Sequence, residues 1–316
     1  MYCLRTNLIS IVLSASVSLL TLTPFVVSLV APSTSFAWEN GGRTRKLNDP
    51  KYGTHDWIAE EALKMLPEDE RNWVDLRLYL LGTEAPDNQK IARRVLGKQA
   101  ASCYGDPFQH HAYFDDTEGA GELIDDAACV RSQEEYLKAR EALVSGDHEK
   151  ASFFLGAMSH YLADLAAWPH VMGAYAVHGA EETPEHRELE DCVEATLTAR
   201  VLSDPEHRST RFSPYLVFDG SLELIEPYEA ARQIGLRTHR GVRYSAAQMR
   251  QWLPMGVRGN GAYIDSSDWS QAYQDELGAS LNHAVNGVAD VIHTLHLETQ
   301  TVPPDSLEFL SVERSD

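Results

Sequence analysis

Positive charge is scarce in this chain: 27 Lys and Arg stand against 47 Asp and Glu, a formal net charge of -20 over 316 residues. A surface this acidic supports solubility and disfavours binding of polyanions through a broad basic face. It says little about a site whose field is set by bound metal. Cysteine is scarce too. Cys3 falls in the N-terminal segment, which leaves Cys103, Cys129 and Cys192, and an odd number allows at most one internal bridge. Cys103 and Cys129 bracket an acidic, glycine-containing loop and are the favoured pair, with three unpaired thiols as the alternative. Repeats and low-complexity blocks are missing, and strand signals are few. The long apolar run from Leu8 to Ala31 follows Arg5, the sole charge in the first 37 residues, and Ser35-Phe36-Ala37 offers small residues for cleavage. Pro24 and the Ser/Thr content argue against an uncleaved anchor, so residues 1–37 read as a signal peptide cut between Ala37 and Trp38. The remaining chain is expected to be secreted or periplasmic.

What is present is helical pattern. Thr54 is expected to cap a helix with Ile58, Ala62, Leu63 and Leu66 on one face, ended by Pro67. Residues 71–82 read as a second helix, and Ser132-Gln133-Glu134-Glu135 as a capping box opening a third that stops near Gly146. An apolar helix over 151–167 ends at Trp168-Pro169, and Thr183-Pro184 opens another to about Leu202. Short helices are expected near 226–234 and 245–253, and a long amphipathic one over 269–298. The fold class is therefore all-α. A single domain occupies 38–300, and 301–316 form a loose tail.

Metal-donor residues gather in these helices. His160-x3-Asp164 and His186-x3-Glu190 each place two donors one turn apart on a helix face, with His170 between the pairs. Asp164 lies on an otherwise apolar helix, where a buried carboxylate requires a cation, a metal or strong hydrogen-bond donors. A His–Asp hydrogen bond in the core is the bland alternative for the first pair, and a solvated surface pair for the second. His55, Asp87 and the doublet His110-His111 are each weak signals alone.

Together these residues carry a resemblance. The segments Thr54-His55-Asp56-Trp57-Ile58, Gly82 to Asp87, His111-Ala112-Tyr113, Phe154-Leu155-Gly156 through His160-Tyr161-Leu162-Ala163-Asp164 to Pro169-His170, and His186-x3-Glu190, with Trp38 at the expected new N-terminus, resemble the bacterial zinc-dependent phospholipase C family. S1/P1-type nucleases share that fold more distantly. The resemblance implies a single helical domain with a trinuclear zinc cleft. One zinc would take Asp87, His111, His160 and Asp164, and a second His170, His186 and Glu190. The third would take Trp38, His55 and Asp164, with Asp164 bridging and Trp38 binding through its α-amine and carbonyl. The Tyr at 113 selects His111 over His110. Imidazole, carboxylate and amine donors suit zinc without any thiolate.

The implied chemistry is attack of a zinc-activated water on a phosphodiester phosphorus, with Asp87 as candidate general base as well as ligand. The implied partner is phospholipid at a membrane or micelle surface, with no stable nucleic-acid binding and no obligate protein partner. Substrate contacts fall to Phe108 and Asn88. Asn88 replaces an aromatic of the family's choline pattern, and Gly41 stands where that pattern has an acid, although Glu39 is near. Since a quaternary ammonium needs aromatic faces and a negative charge, a different headgroup or a looser preference is expected. The alternatives are an S1/P1-type nuclease or 3'-nucleotidase, and a zinc-binding secreted protein without turnover. The first is weakened because no histidine follows Trp38 until His55.

Overall fold

The computed structural model describes residues 43–114, 121–171, 193, 201–204, 210–241 and 271–301. The expected helices at 183–202 and 245–253, the signal segment, the tail after 301, Trp38, Glu39, Gly41, His186, Glu190 and Cys192 lie wholly or mainly outside those residues. Eight α-helices are described: α1 Thr54–Met65, α2 Glu68–Arg71, α3 Leu76–Glu84, α4 Gln89–Val95, α5 Ala127–Val144, α6 His148–Asp164, α7 Pro227–Gly241 and α8 Gln271–Thr301. Two short strands, β1 Tyr113–Phe114 and β2 Leu123–Asp125, pair antiparallel. The protein is all-α in class. None of the described helices is long and apolar enough to cross a membrane.

Helix α6 is the central element, packed against both α3 and α5. Its residues Leu155, Met158, Leu162 and Leu165 join Trp57, Ile58, Tyr136, Val288 and Ile292 in the main apolar cluster, while Phe153 and Ala157 face a second cluster with Leu81 and Ile91. The α3–α6 crossing is set by two glycines. A Cβ on Gly82 would clash with the Phe153 carbonyl and stand 3.0 Å from Gly156 Cα; one on Gly156 would clash with the Tyr79 carbonyl and stand 2.9 Å from Gly82 Cα. Backbone therefore meets backbone, which only residues lacking a side chain allow.

Several boundaries differ from expectation, each for a tertiary reason. Gly53, one residue before Thr54, is the N-cap of α1, and its N–H is accepted by Asp56 Oδ2 at 2.8 Å. The helix expected over 71–82 divides into α2 and α3, because the Asp75 carboxylate caps α3 through Leu78 N (2.9 Å) while its own N–H bonds Ser152 Oγ on α6 (2.9 Å). Helix α5 starts five residues before Ser132. Ser132 Oγ donates to the Cys129 carbonyl (2.8 Å) and Glu135 accepts from Tyr104 OH (2.7 Å), so the supposed capping residues serve packing instead. Helix α4 follows a cap by Asn88 and was not expected.

The Cys103–Cys129 bridge is not formed; both are free thiols. Cys129 is buried in the main cluster and Cys103 packs against the second, so they face different cores.

The extended chain of 217–225 is fixed along α8 by side chains spaced four residues apart. Val217 N donates to Asn282 Oδ1 (2.8 Å), Asp219 N to Asn286 Oδ1 (3.2 Å), Glu223 N to Asp290 Oδ1 (2.9 Å) and Ile225 N to Thr294 Oγ1 (3.0 Å). One helix face thus stands in for a partner strand.

Because the glycine contact leaves no room, Gly156→Ala should lower unfolding stability by about 1–3 kcal/mol. Urea denaturation checks this, and an unchanged midpoint would show that the helices can separate freely.

Candidate metal centre

Five buried donors converge where α1, the end of α3, the turn before β1 and α6 meet. His55 is the second residue of α1, and its ring stacks on His160 with centroids 3.8 Å apart and planes 17° from parallel. His160 and Asp164 lie one turn apart on α6, with His160 Nε2 3.2 Å from Asp164 Oδ2. Asp164 turns its oxygens to different neighbours. Oδ1 is 3.2 Å from His55 Nε2, and Oδ2 is 2.8 Å from His110 Nδ1. Asp87, just past α3, places Oδ1 3.8 Å from both His110 Nε2 and His160 Nε2. Two overlapping triads result, His55–His160–Asp164 and Asp87–His110–His160, each with donor atoms within 4.8 Å of one another.

Orientation comes from the surrounding hydrogen bonds. His160 Nδ1 is 2.6 Å from the Thr83 carbonyl, which can only accept, so Nδ1 carries a proton and Nε2 is the ring nitrogen turned to the cluster. Thr83 Oγ1 donates to Asp56 Oδ1 (2.6 Å), tying α3 to the first turn of α1 beside His55. His110 follows the turn Pro107–Gln109, and the loop after it is fastened by Ala112 N to the His170 carbonyl (2.9 Å).

Electrostatics favour the ligand forms of His55 and Asp164, and oppose that of Asp87. Burial, then the field of His160, pushes His55 down to about 3, so it is a neutral imidazole. Burial pushes Asp87 up to about 6 against the pull of His160 and His110. Burial also acts to raise Asp164, but the His160 and His110 imidazoles outweigh it and hold the carboxyl well below the usual range.

The family profile for zinc dependent phospholipase C covers residues 54–229, more than half of the 316-residue chain. The chain belongs to the zinc-dependent phospholipase C family. Among solved structures, it is similar to the alpha-toxin of Clostridium perfringens from avian strain SWCP, at 17% identity and TM-score 0.48 over 81% of this chain and 64% of that one. It is also similar to the alpha toxin of Clostridium absonum, at 18% and 0.46 over 79% and 66%. The chain thus spans slightly less than two thirds of either toxin chain. No curated protein sequence matches it.

The residues of this zinc-dependent phospholipase C family member fit the metal the family depends on. A tetrahedral zinc with bonds near 2.0–2.1 Å has ligand-to-ligand edges of about 3.3–3.4 Å, and the donor separations of 2.8–3.8 Å above bracket that value. Among the described residues, His55 Nε2, Asp87 Oδ2 and Asp164 Oδ1 are buried without a hydrogen bond. Buried polar atoms rarely go without a partner, and a cation in the cluster would supply one.

The structure brings together His55, Asp87, His160 and Asp164 of the expected ligands. It does not bring His111 to them, and His110 occupies that place. The His111 ring stacks on Tyr113 with centroids 4.1 Å apart, and its Nε2 lies 3.2 Å from Asp125 Oδ2. Consecutive residues of extended chain point to opposite faces and i, i+2 residues share one. Tyr113 therefore reports the side to which His111 turns, away from the cluster, while His110 ends the turn Pro107–Gln109 with φ -101° and ψ 6°. His170 is buried on the turn Trp168–His170. The expected partners of that zinc, His186 and Glu190, lie outside the described residues, as does Trp38. Phe108 is 72% exposed. The Asn88 amide is engaged by Glu84 Oε1 (2.7 Å) and Lys90 N (3.3 Å).

Replacing His110 with Ala should remove roughly one zinc equivalent and reduce activity by about 10–100-fold or more, whereas His111→Ala should keep the full zinc content. Metal analysis of the two purified variants checks this; the opposite pattern would return His111 to the centre.

Proposed function

We propose that this protein is an exported zinc phosphodiesterase, a phospholipase C that cleaves glycerophospholipids to diacylglycerol and a phosphorylated headgroup. The observation that carries this reading is the pair of buried donor triads sharing His160, in a chain of the zinc-dependent phospholipase C family. Of the described residues, His55, Asp87, His110, His160 and Asp164 would hold zinc, with Asp164 presenting one oxygen to His55 and the other to His110. His170 would belong to a further ion with His186 and Glu190, and Trp38 would complete the His55–Asp164 site, for three ions in all. When bound, zinc acts as a Lewis acid that makes water a nucleophile near neutral pH and neutralises phosphoryl charge.

The protein's own part is orientation and proton handling. The Thr83 carbonyl accepts from His160 Nδ1 and so turns Nε2 toward the cluster. Asp87 Oδ2 has no hydrogen-bond donor among the described residues and would accept the proton of the attacking water. Water oxygen bonds to phosphorus, the phosphorus–oxygen bond to the glyceride breaks, and the departing glyceride oxygen takes up a proton. A net charge of -20 supports a lipid over a polynucleotide substrate.

A panel of phosphatidylcholine, phosphatidylethanolamine, sphingomyelin, single-stranded DNA and 3'-AMP, joined to metal analysis, tests this reading. Diacylglycerol release that a chelator abolishes and added zinc restores is the expected result. Nucleotide cleavage alone would place the protein with the S1/P1-type nucleases, and zinc binding with no turnover would make it a binding protein.

A further inference from the structure

One cleft of this acidic protein has the opposite sign. A cavity of about 570 Å³ is lined by Arg43, Arg45, Lys90, Arg93 and Arg94, with Asn88 in its wall. All five cations are exposed, and among the described residues none of them forms an ion pair with a carboxylate. The Arg94 guanidinium instead donates to the Arg45 carbonyl at 3.4 Å, joining the two sides. The sequence shows the same segregation. Residues 41–48 and 88–99 contain seven Lys and Arg and no Asp or Glu, in a chain where 47 of 316 residues are acidic. Gathering like charges around a concave wall focuses their field and selects an anion. Asn88 in its wall follows the cluster residue Asp87 directly in the chain.

We propose that this cleft binds the anionic headgroup of an acidic phospholipid at a bilayer surface, and that the protein docks on and prefers such lipids. This rests on the phospholipase reading and deepens it. The cavity is of a size to take a headgroup, whereas a polynucleotide would have to continue across the surrounding acidic surface. The chain's net negative charge opposes an anionic bilayer, so docking through the cleft would turn this face toward the lipid. Guanidinium and ammonium groups recognise the phosphate oxygens that such a bilayer presents.

The test uses the zinc-loaded protein and its Arg93→Glu/Arg94→Glu variant. Co-sedimentation is measured with vesicles of phosphatidylcholine alone and of phosphatidylcholine mixed with phosphatidylglycerol. Turnover of a soluble monomeric phosphodiester is measured alongside, to report the metal site. The wild type should bind the mixed vesicles at least about tenfold more tightly, less so as salt rises, with each basic residue contributing roughly fivefold near an anionic surface. The variant should lose that preference and keep its soluble turnover, and displacement of the mixed vesicles by millimolar inorganic phosphate would support the same anion chemistry. Equal binding to both vesicles, or a preference that survives the charge reversal, would overturn the proposal. So would binding of phosphate or single-stranded DNA to the wild type without vesicle binding. Absence of soluble turnover in the wild type would contradict the phospholipase reading instead, while vesicle binding would still decide the role of the cleft.

Discussion

The contact between Gly82 and Gly156 holds α3 and α6 so close that the backbone of one can serve the side chains of the other. The Thr83 carbonyl, one residue past Gly82, reaches His160 Nδ1 one turn along α6 from Gly156. Without that acceptor a buried imidazole would choose its tautomer by whatever lay nearby. With it, Nε2 of His160 is turned to the cluster, where the two donor triads overlap. The hydroxyl of the same threonine fixes Asp56, whose other oxygen caps α1 at Gly53, and α1 carries His55. Two absent side chains therefore govern the placement of three helices and two ligands.

The centre is costly to fold and useful for the same reason. Asp164 and His160 are fully buried, and Asp87 retains only 8% of its side-chain exposure. Burial withholds water from these groups and leaves several of their atoms without hydrogen bonds. Such penalties are tolerated when a cation completes the coordination, and binding energy then becomes folding energy. The apolar clusters on either side of α6 supply the rigidity that holds the donors in place meanwhile. The chain around this centre carries a large negative surplus, broken locally by the basic cleft of Arg43, Arg45, Lys90, Arg93 and Arg94.

Much of this was legible in the sequence, for identifiable reasons. Helical spacing places His160 and Asp164 on one face whatever the tertiary fold, and the apolar run around them marks α6 as central. The helix over 269–298 could be read from a single strong periodicity. Elements settled by distant contacts were not legible. Ser132 looked like a cap because the sequence cannot show Cys129 and Tyr104 claiming the residues around it. Cys103 and Cys129 looked paired because separation along the chain does not reveal two different cores. His110 and His111 are identical in type and adjacent, so only the direction of the chain distinguishes them. The Thr83 carbonyl could not have been found from residue types, since it is a backbone group.

The claim that α3 sets the state of the metal centre is tested most directly by nitrogen-15 NMR of the His160 ring in zinc-free protein at neutral pH. Protonated Nδ1 and bare Nε2, with the Nε2 resonance moving when zinc is added, is the predicted result. A proton on Nε2, or a zinc-induced shift at Nδ1 alone, would contradict it.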